Sequence, residues 1–195
     1  MESFENEVND AETFVELALK EGTLEDATFY DCRFERCNFN GSSLKRSRFV
    51  GCTFLHCDLG LAELTDTELS GVQFEHTALV GVNFSLLAKT LAPLELTFDA
   101  CTLSYAVFKG LGLSGCSLTD CAAREAVFDG VDLSRATLCG SDFEGAVFRA
   151  CNLTGADLRG ARGYQLSVKQ NEVKGLKVSF PEALGLLAGL EVVIS

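Results

Sequence analysis

Nine cysteines and two histidines are the residues of this 195-residue chain that could carry metal or redox chemistry. Their spacing decides what they do. The cysteines recur as C-x4-C (Cys32 and Cys37, Cys52 and Cys57, Cys116 and Cys121), not as the C-x2-C of zinc ribbons. His56 and His76 stand twenty residues apart, with Arg36 one step earlier on the same line. Two ligands fall short of the three or four that zinc sites use. Cys32 and Cys52, and Cys101 and Cys121, are also twenty apart, and would reach disulfide distance only if a twenty-residue step stacks them. No nucleophile elbow, Walker loop or H-E-x-x-H occurs, so the catalytic arrangements those motifs position are missing. Acid pairs such as Asp142 and Glu144 flank large apolar residues and read as a solvated wall. The expectation is a protein that is not an enzyme and has no cofactor and no metal site.

What positions these cysteines is a five-residue step. Large apolar residues run without a slip from Leu24 through Phe29, Phe34 and Phe39 to Phe84. They resume from Phe98 to Leu158, broken in type only by Ala123, and a weaker tail passes Gly163, Val168, Val173 and Val178. Neither a strand nor a helix has that period. Two residues before each of these centres stands a small or modest residue, and eight of the nine cysteines fall there, Cys139 excepted. Residues two apart on an extended segment face the same way, so centre and small partner both point inward and the cysteines act as small core residues. Gly collects two after the centre, where the chain must turn. Each pentad is then one side and one corner, and square corners give twenty residues per coil. Ladders such as Phe34, Phe54, Phe74 and Phe108, Phe128, Phe148 fit that count. Seven or eight coils at about 4.8 Å make a rod of roughly 35–40 Å.

Phe84 and Phe98 are fourteen residues apart, one short of three pentads. The break predicts a loop over 85–97, rich in leucine, that either folds back on a wall or reaches a partner through Leu87, Lys89 and Leu91. Residues 1–21 form an acidic N-terminal cap segment, with a first irregular coil starting near Phe14. Residues 22–180 are the repeat domain. In 181–195, Pro181 and Glu182 suit a first helical turn. Leu184, Leu187 and Leu190 make an apolar stripe, and Val192 to Ile194 a short strand. This end caps the coil and is expected to pair with a second copy.

A formal net charge of −12 argues against direct binding of nucleic acid or an anionic membrane surface. No secretory signal and no apolar run long enough to span a bilayer is seen, which predicts a cytoplasmic protein.

The repeat resembles the pentapeptide-repeat proteins over roughly residues 22–178, which implies an all-β, right-handed quadrilateral β-helix. One loop near the middle, and an ending close to GLKVSFPEALGLLAGLEVVIS, resemble the topoisomerase-protection branch of quinolone-resistance (Qnr) and albicidin-immunity proteins. The single loop looks more like the albicidin-immunity arrangement. That resemblance implies a bacterial homodimer joined head-on through Leu184, Leu187, Leu190, Val192 and Ile194. It also implies binding to DNA gyrase, with topoisomerase IV as a second target, by mimicry of DNA and relief of topoisomerase poisons. Residues 22–84 hold nine acids against five bases, whereas 98–180 hold nine of each. The acids expected to meet the partner are therefore Asp26, Asp31, Asp58, Glu63, Asp66 and Glu68. Arg135, Arg149, Arg159 and Arg162, near the dimer end, depart from mimicry.

Overall fold

The computed structural model describes residues 7–89, 94–187 and 190. Each five-residue step is one side of a parallel β-solenoid of about eight turns. Strands of the first side, Val8–Asp10, Thr28–Tyr30, Arg48–Val50 and Glu68–Ser70, pair in that order. Six strands stack on the second side, from Thr13–Val15 to Ser117–Thr119. Four lie on the fourth side, from Val107–Lys109 to Gln165–Leu166. The third side is held by single bridges such as Asn38 to Asp58. Pairing already begins at Val8, opposite Thr28, earlier than the expected start near Phe14.

Centres and their small partners are buried, as the period requires. Phe14, Phe34, Phe54, Phe74 and Phe98 stack ring on ring at 4.7–5.2 Å. Phe84, Phe108, Phe128 and Phe148 form a second column at 4.7–5.0 Å. Burying one such ring is worth about 1.5–3 kcal/mol, and the stacked geometry adds to it. Corners turn at the residue two after each centre, where φ is positive in glycines such as Gly51 and, among the described residues, in seventeen that are not glycine.

Two coils depart from twenty residues. Phe74 pairs with Phe98, twenty-four residues on. The chain stays in register as far as Ala88, whose N–H donates to the Thr67 carbonyl at 2.9 Å. It rejoins at Leu94, whose N–H donates to the Gly112 carbonyl at 2.8 Å. The gap is therefore two pentads plus four residues, not three pentads less one. Phe84–Leu86 is a short 3-10 turn, and Leu87, Leu94 and Leu96 are buried. At the other break Phe148 pairs with Leu166, eighteen residues on, so Leu166 and not Val168 continues the column. The cause is Gly163, which stands where a centre is due but has φ +72°; a Cβ there would lie 2.8 Å from the Glu144 nitrogen. Tyr164 and Leu166 fill the space instead. Register returns through Asn171, whose Oδ1 accepts from the Cys151 N–H at 2.9 Å and whose Nδ2 donates to the Phe148 carbonyl at 3.1 Å.

Candidate functional site

The cysteines are part of the scaffold. Eight are buried and Cys139 is half-buried; all nine are free thiols. Cys52 Sγ donates to the Phe29 carbonyl at 3.4 Å and Cys57 Sγ to the Phe34 carbonyl at 3.3 Å. Ser47 and Ser141 make the same bond with hydroxyls, to Leu24 and Leu118. The inward polar atom thus satisfies a backbone group that the ladder leaves over, which is why Cys, Ser and Thr share the position. Burial pushes the Cys52 thiol up to about 11 and Cys116 up to about 12, so neither is a thiolate nucleophile at neutral pH. His56 and His76 stack at 5.0 Å on an exposed corner. Among the described residues no group of three or more His, Cys, Asp and Glu is placed to hold a metal ion. The void among Leu44, Phe49, Phe54 and Leu59, about 10 Å³, is too small for a ligand.

The outer wall is where chemistry is available, and it is not a uniform acidic stripe. Asp26 accepts from Arg46 Nε and Nη2 at 2.7 Å, and these hydrogen bonds hold its carboxyl below the usual carboxylate range. Lys45 reaches Glu63 at 2.8 Å, and Arg48 reaches Glu68 at 3.1 Å. Asp58 accepts from Asn40 and from the Gly60 N–H. Only Asp31 and Asp66, of the six expected acids, have no side-chain partner among the described residues. The six also spread around the rod: Glu63 lies on the fourth side, Glu68 on the first and Asp58 on the third, with Asp26 and Asp66 on the corner after the fourth side and Asp31 on the corner after the first. Like charges at about 4.8 Å repel, so acid and base alternate along the axis: Asp26, Arg46, Asp66. The same rule orders the other half. Asp129 lies between Lys109 and Arg149, and buried Asp142 accepts from Arg124 and Arg162. Burial alone would raise the Asp142 carboxyl; hydrogen bonds from Arg124, the Glu144 N–H and Arg162 outweigh it, and its pKa is lowered.

Leu87 is corrected. It is 5% exposed and occupies the small inward position after Thr67, because the surplus residues follow it; it is core, not a contact. Lys89 is exposed, and Leu91 lies outside the described residues. At the far end Glu182–Leu187 is a 3-10 helix. Leu184 and Leu190 are exposed and Leu187 half-buried, while Val192 and Ile194 lie outside the described residues. The reading from sequence did not single out Leu61 and Tyr105, which are 67% and 63% exposed. Their signal was available: both stand two after a centre, the corner position, where a large apolar side chain has no inward place.

The family described as pentapeptide repeat region matches residues 27–90, and that described as pentapeptide repeats (8 copies) matches residues 126–162. Among solved structures, a trypsin-treated form of QnrB1, a plasmid-mediated fluoroquinolone resistance protein, is 22% identical with a TM-score of 0.66. That match covers 94% of this chain and 100% of the other. Full-length QnrB1 is 21% identical with a TM-score of 0.53, covering 95% and 100%. HetL is a pentapeptide-repeat protein involved in heterocyst differentiation regulation, from the cyanobacterium Nostoc sp. strain PCC 7120. It is 19% identical with a TM-score of 0.59, covering 87% of this chain and 84% of its own. No curated protein matches.

Proposed function

This chain belongs to the pentapeptide-repeat family, and from that footing we propose that it binds a type II DNA topoisomerase and protects it from drugs that trap the cleaved DNA complex. DNA gyrase is the primary partner and topoisomerase IV the second. The protein works in the bacterial cytoplasm as a homodimer joined through its C-terminal ends. One observation carries the reading. The molecule is a straight-sided acidic rod, net charge −12, whose interior is filled by side chains among the described residues, so that a partner meets its outer surface. Such a rod, roughly 35–40 Å long per copy, presents to a DNA-binding groove a shape and sign of charge that DNA itself presents. The likeness in fold to QnrB1 supports the same reading.

The pairing of Asp26, Glu63 and Glu68 with bases favours a second reading, an interaction scaffold with no topoisomerase link. Supercoiling by purified gyrase, with a fluoroquinolone or albicidin present, separates the two. Rescue of supercoiling, or inhibition without drug, at micromolar protein is the expected result. Neither effect, together with no gyrase retained by the immobilised protein, leaves the scaffold reading.

A further inference from the structure

The first two sides of the rod begin in an unpaired strand edge. Val8–Asp10 and Thr13–Val15 are the terminal strands of those sides. One coil on, the Thr28 and Arg33 N–H groups donate back to the Glu7 and Glu12 carbonyls at 2.9 and 2.8 Å. The Val8 and Thr13 N–H groups point the same way. So do those of Asp10 and Val15, because alternate residues of a parallel ladder face opposite edges. None of the four has an acceptor there among the described residues.

Asn9 shows what that edge lacks. It precedes Phe29, Phe49 and Leu69 on the first side, is 7% exposed, and its Nδ2 has no hydrogen-bond partner among the described residues. Inward polar atoms elsewhere bond a carbonyl of the coil before: Ser47 to Leu24, Thr67 to Leu44, Asn171 Nδ2 to Phe148. No described strand precedes Asn9 on its side, so a buried donor is left unpaired, which is costly. Charge then selects the strand that fits. Glu7, Asp10 and Glu12 are exposed and have no side-chain partner among the described residues. Asp31, on the corner one coil on from Ala11, has none either. The bases of the next coil are taken: Arg33 by Glu35 at 3.8 Å, and Arg36 by Glu35 and Glu16. Lys20 stands away, on the third side.

We propose that this edge is a docking site for an extended, Lys- or Arg-bearing segment of a partner protein, which adds to the rod as one more rung. Its carbonyls accept from the Val8, Asp10, Thr13 and Val15 N–H groups and from Asn9 Nδ2, and its cations lie against Glu7, Asp10 and Glu12. A second copy does not fit. Two like edges would set these acids against one another at about 4.8 Å, and charge of that kind is how edge strands avoid their own copies. The inference stands apart from the topoisomerase reading.

The probe is a fluorescein-labelled nonapeptide of alternating lysine and valine about a central glycine, which lets it turn the corner. It is titrated against the full-length protein by fluorescence anisotropy at physiological salt, and saturable binding is expected. The same peptide N-methylated on its valines, the residues that would face inward and pair, should bind at least about 10-fold more weakly. Asp10→Lys with Glu12→Lys should cost a similar factor while the unfolding midpoint stays within about 3 °C of wild type. Glu172→Lys, on the last coil of the first side, should leave binding unchanged, since it lies several Debye lengths away. Equal binding of the N-methylated peptide, or an equal loss with Glu172→Lys, would reduce the contact to diffuse charge and overturn the proposal. So would no binding up to millimolar peptide. Amide exchange gives a second readout: Val8, Asp10, Thr13 and Val15 should exchange freely and become protected by the peptide. Protection without peptide assigns the edge to the chain's own remaining residues, and a light-scattering mass that falls in the Asp10/Glu12 variant assigns it to a second copy; either overturns the proposal. None of these results bears on the topoisomerase reading.

Discussion

At the scale of single residues, the chain is governed by what each corner tolerates. Left-handed backbone costs a non-glycine residue about 1–2 kcal/mol, yet Asp, Glu, Arg and His occupy corners repeatedly. Gly163 differs, because its missing Cβ is required by the Glu144 backbone 2.8 Å away as well as by its φ of +72°. Gly163→Ala should therefore cost more than about 2 kcal/mol and lower the thermal midpoint by at least about 4 °C. A midpoint within 1 °C of wild type would show that the coil shifts to accept the methyl group. Much of this scale was legible beforehand: the five-residue register alone placed eight cysteines inward and Cys139 apart. Leu87 was not legible, because its side depends on whether the four surplus residues come before or after it. Nor was Gly163, which looks like a weak centre until its backbone is seen to end the register.

Coils are the next scale, and here charge is organised by the neighbour twenty residues away. Arg46 and Arg149 hydrogen-bond to Asp26 and Asp129 one coil away, Arg159 to Asp157 only two residues away, and all three hold those carboxyls below their usual range. A lowered folded pKa contributes stability above the unfolded value near 4 and loses it as pH falls through the folded value. The denaturant midpoint should be level from pH 7 to about 5 and drop below about 4. Asp129→Asn combined with Asp157→Asn should flatten part of that drop; an unchanged slope would assign it elsewhere. These pairs are exposed on their arginine side and screened, so each contributes modestly. Sequence showed the acids but not their spending, since partners twenty apart become neighbours only once the coil is closed. The C-terminal turn belongs to this scale too. Leu184→Asp with Leu187→Asp should give a monomer by light scattering if that end joins two copies, and a persistent dimer would place the interface elsewhere.

For the whole molecule, side-chain chemistry is subordinate to shape. Every wall is built from the same short ladder, and the recesses on it are open ones, such as that of about 350 Å³ beside Ala150, Asn152, Lys169 and Glu172. A partner meets edges and faces instead. The acid-base alternation leaves the rod acidic overall but patterned along its length, so binding to a basic groove should weaken as salt rises. An affinity indifferent to salt between 50 and 300 mM would favour apolar docking alone.

The twenty-residue step also sets a time. Strand pairs join residues 18 to 24 apart in a 195-residue chain, a relative separation of about 0.1, the range of helical bundles and not of β-sandwiches. Each coil can close on the one before it without waiting for distant chain. Folding can then start at any phenylalanine-rich coil and spread outward, as quickly as an all-helical protein of this size despite a nearly all-β fold.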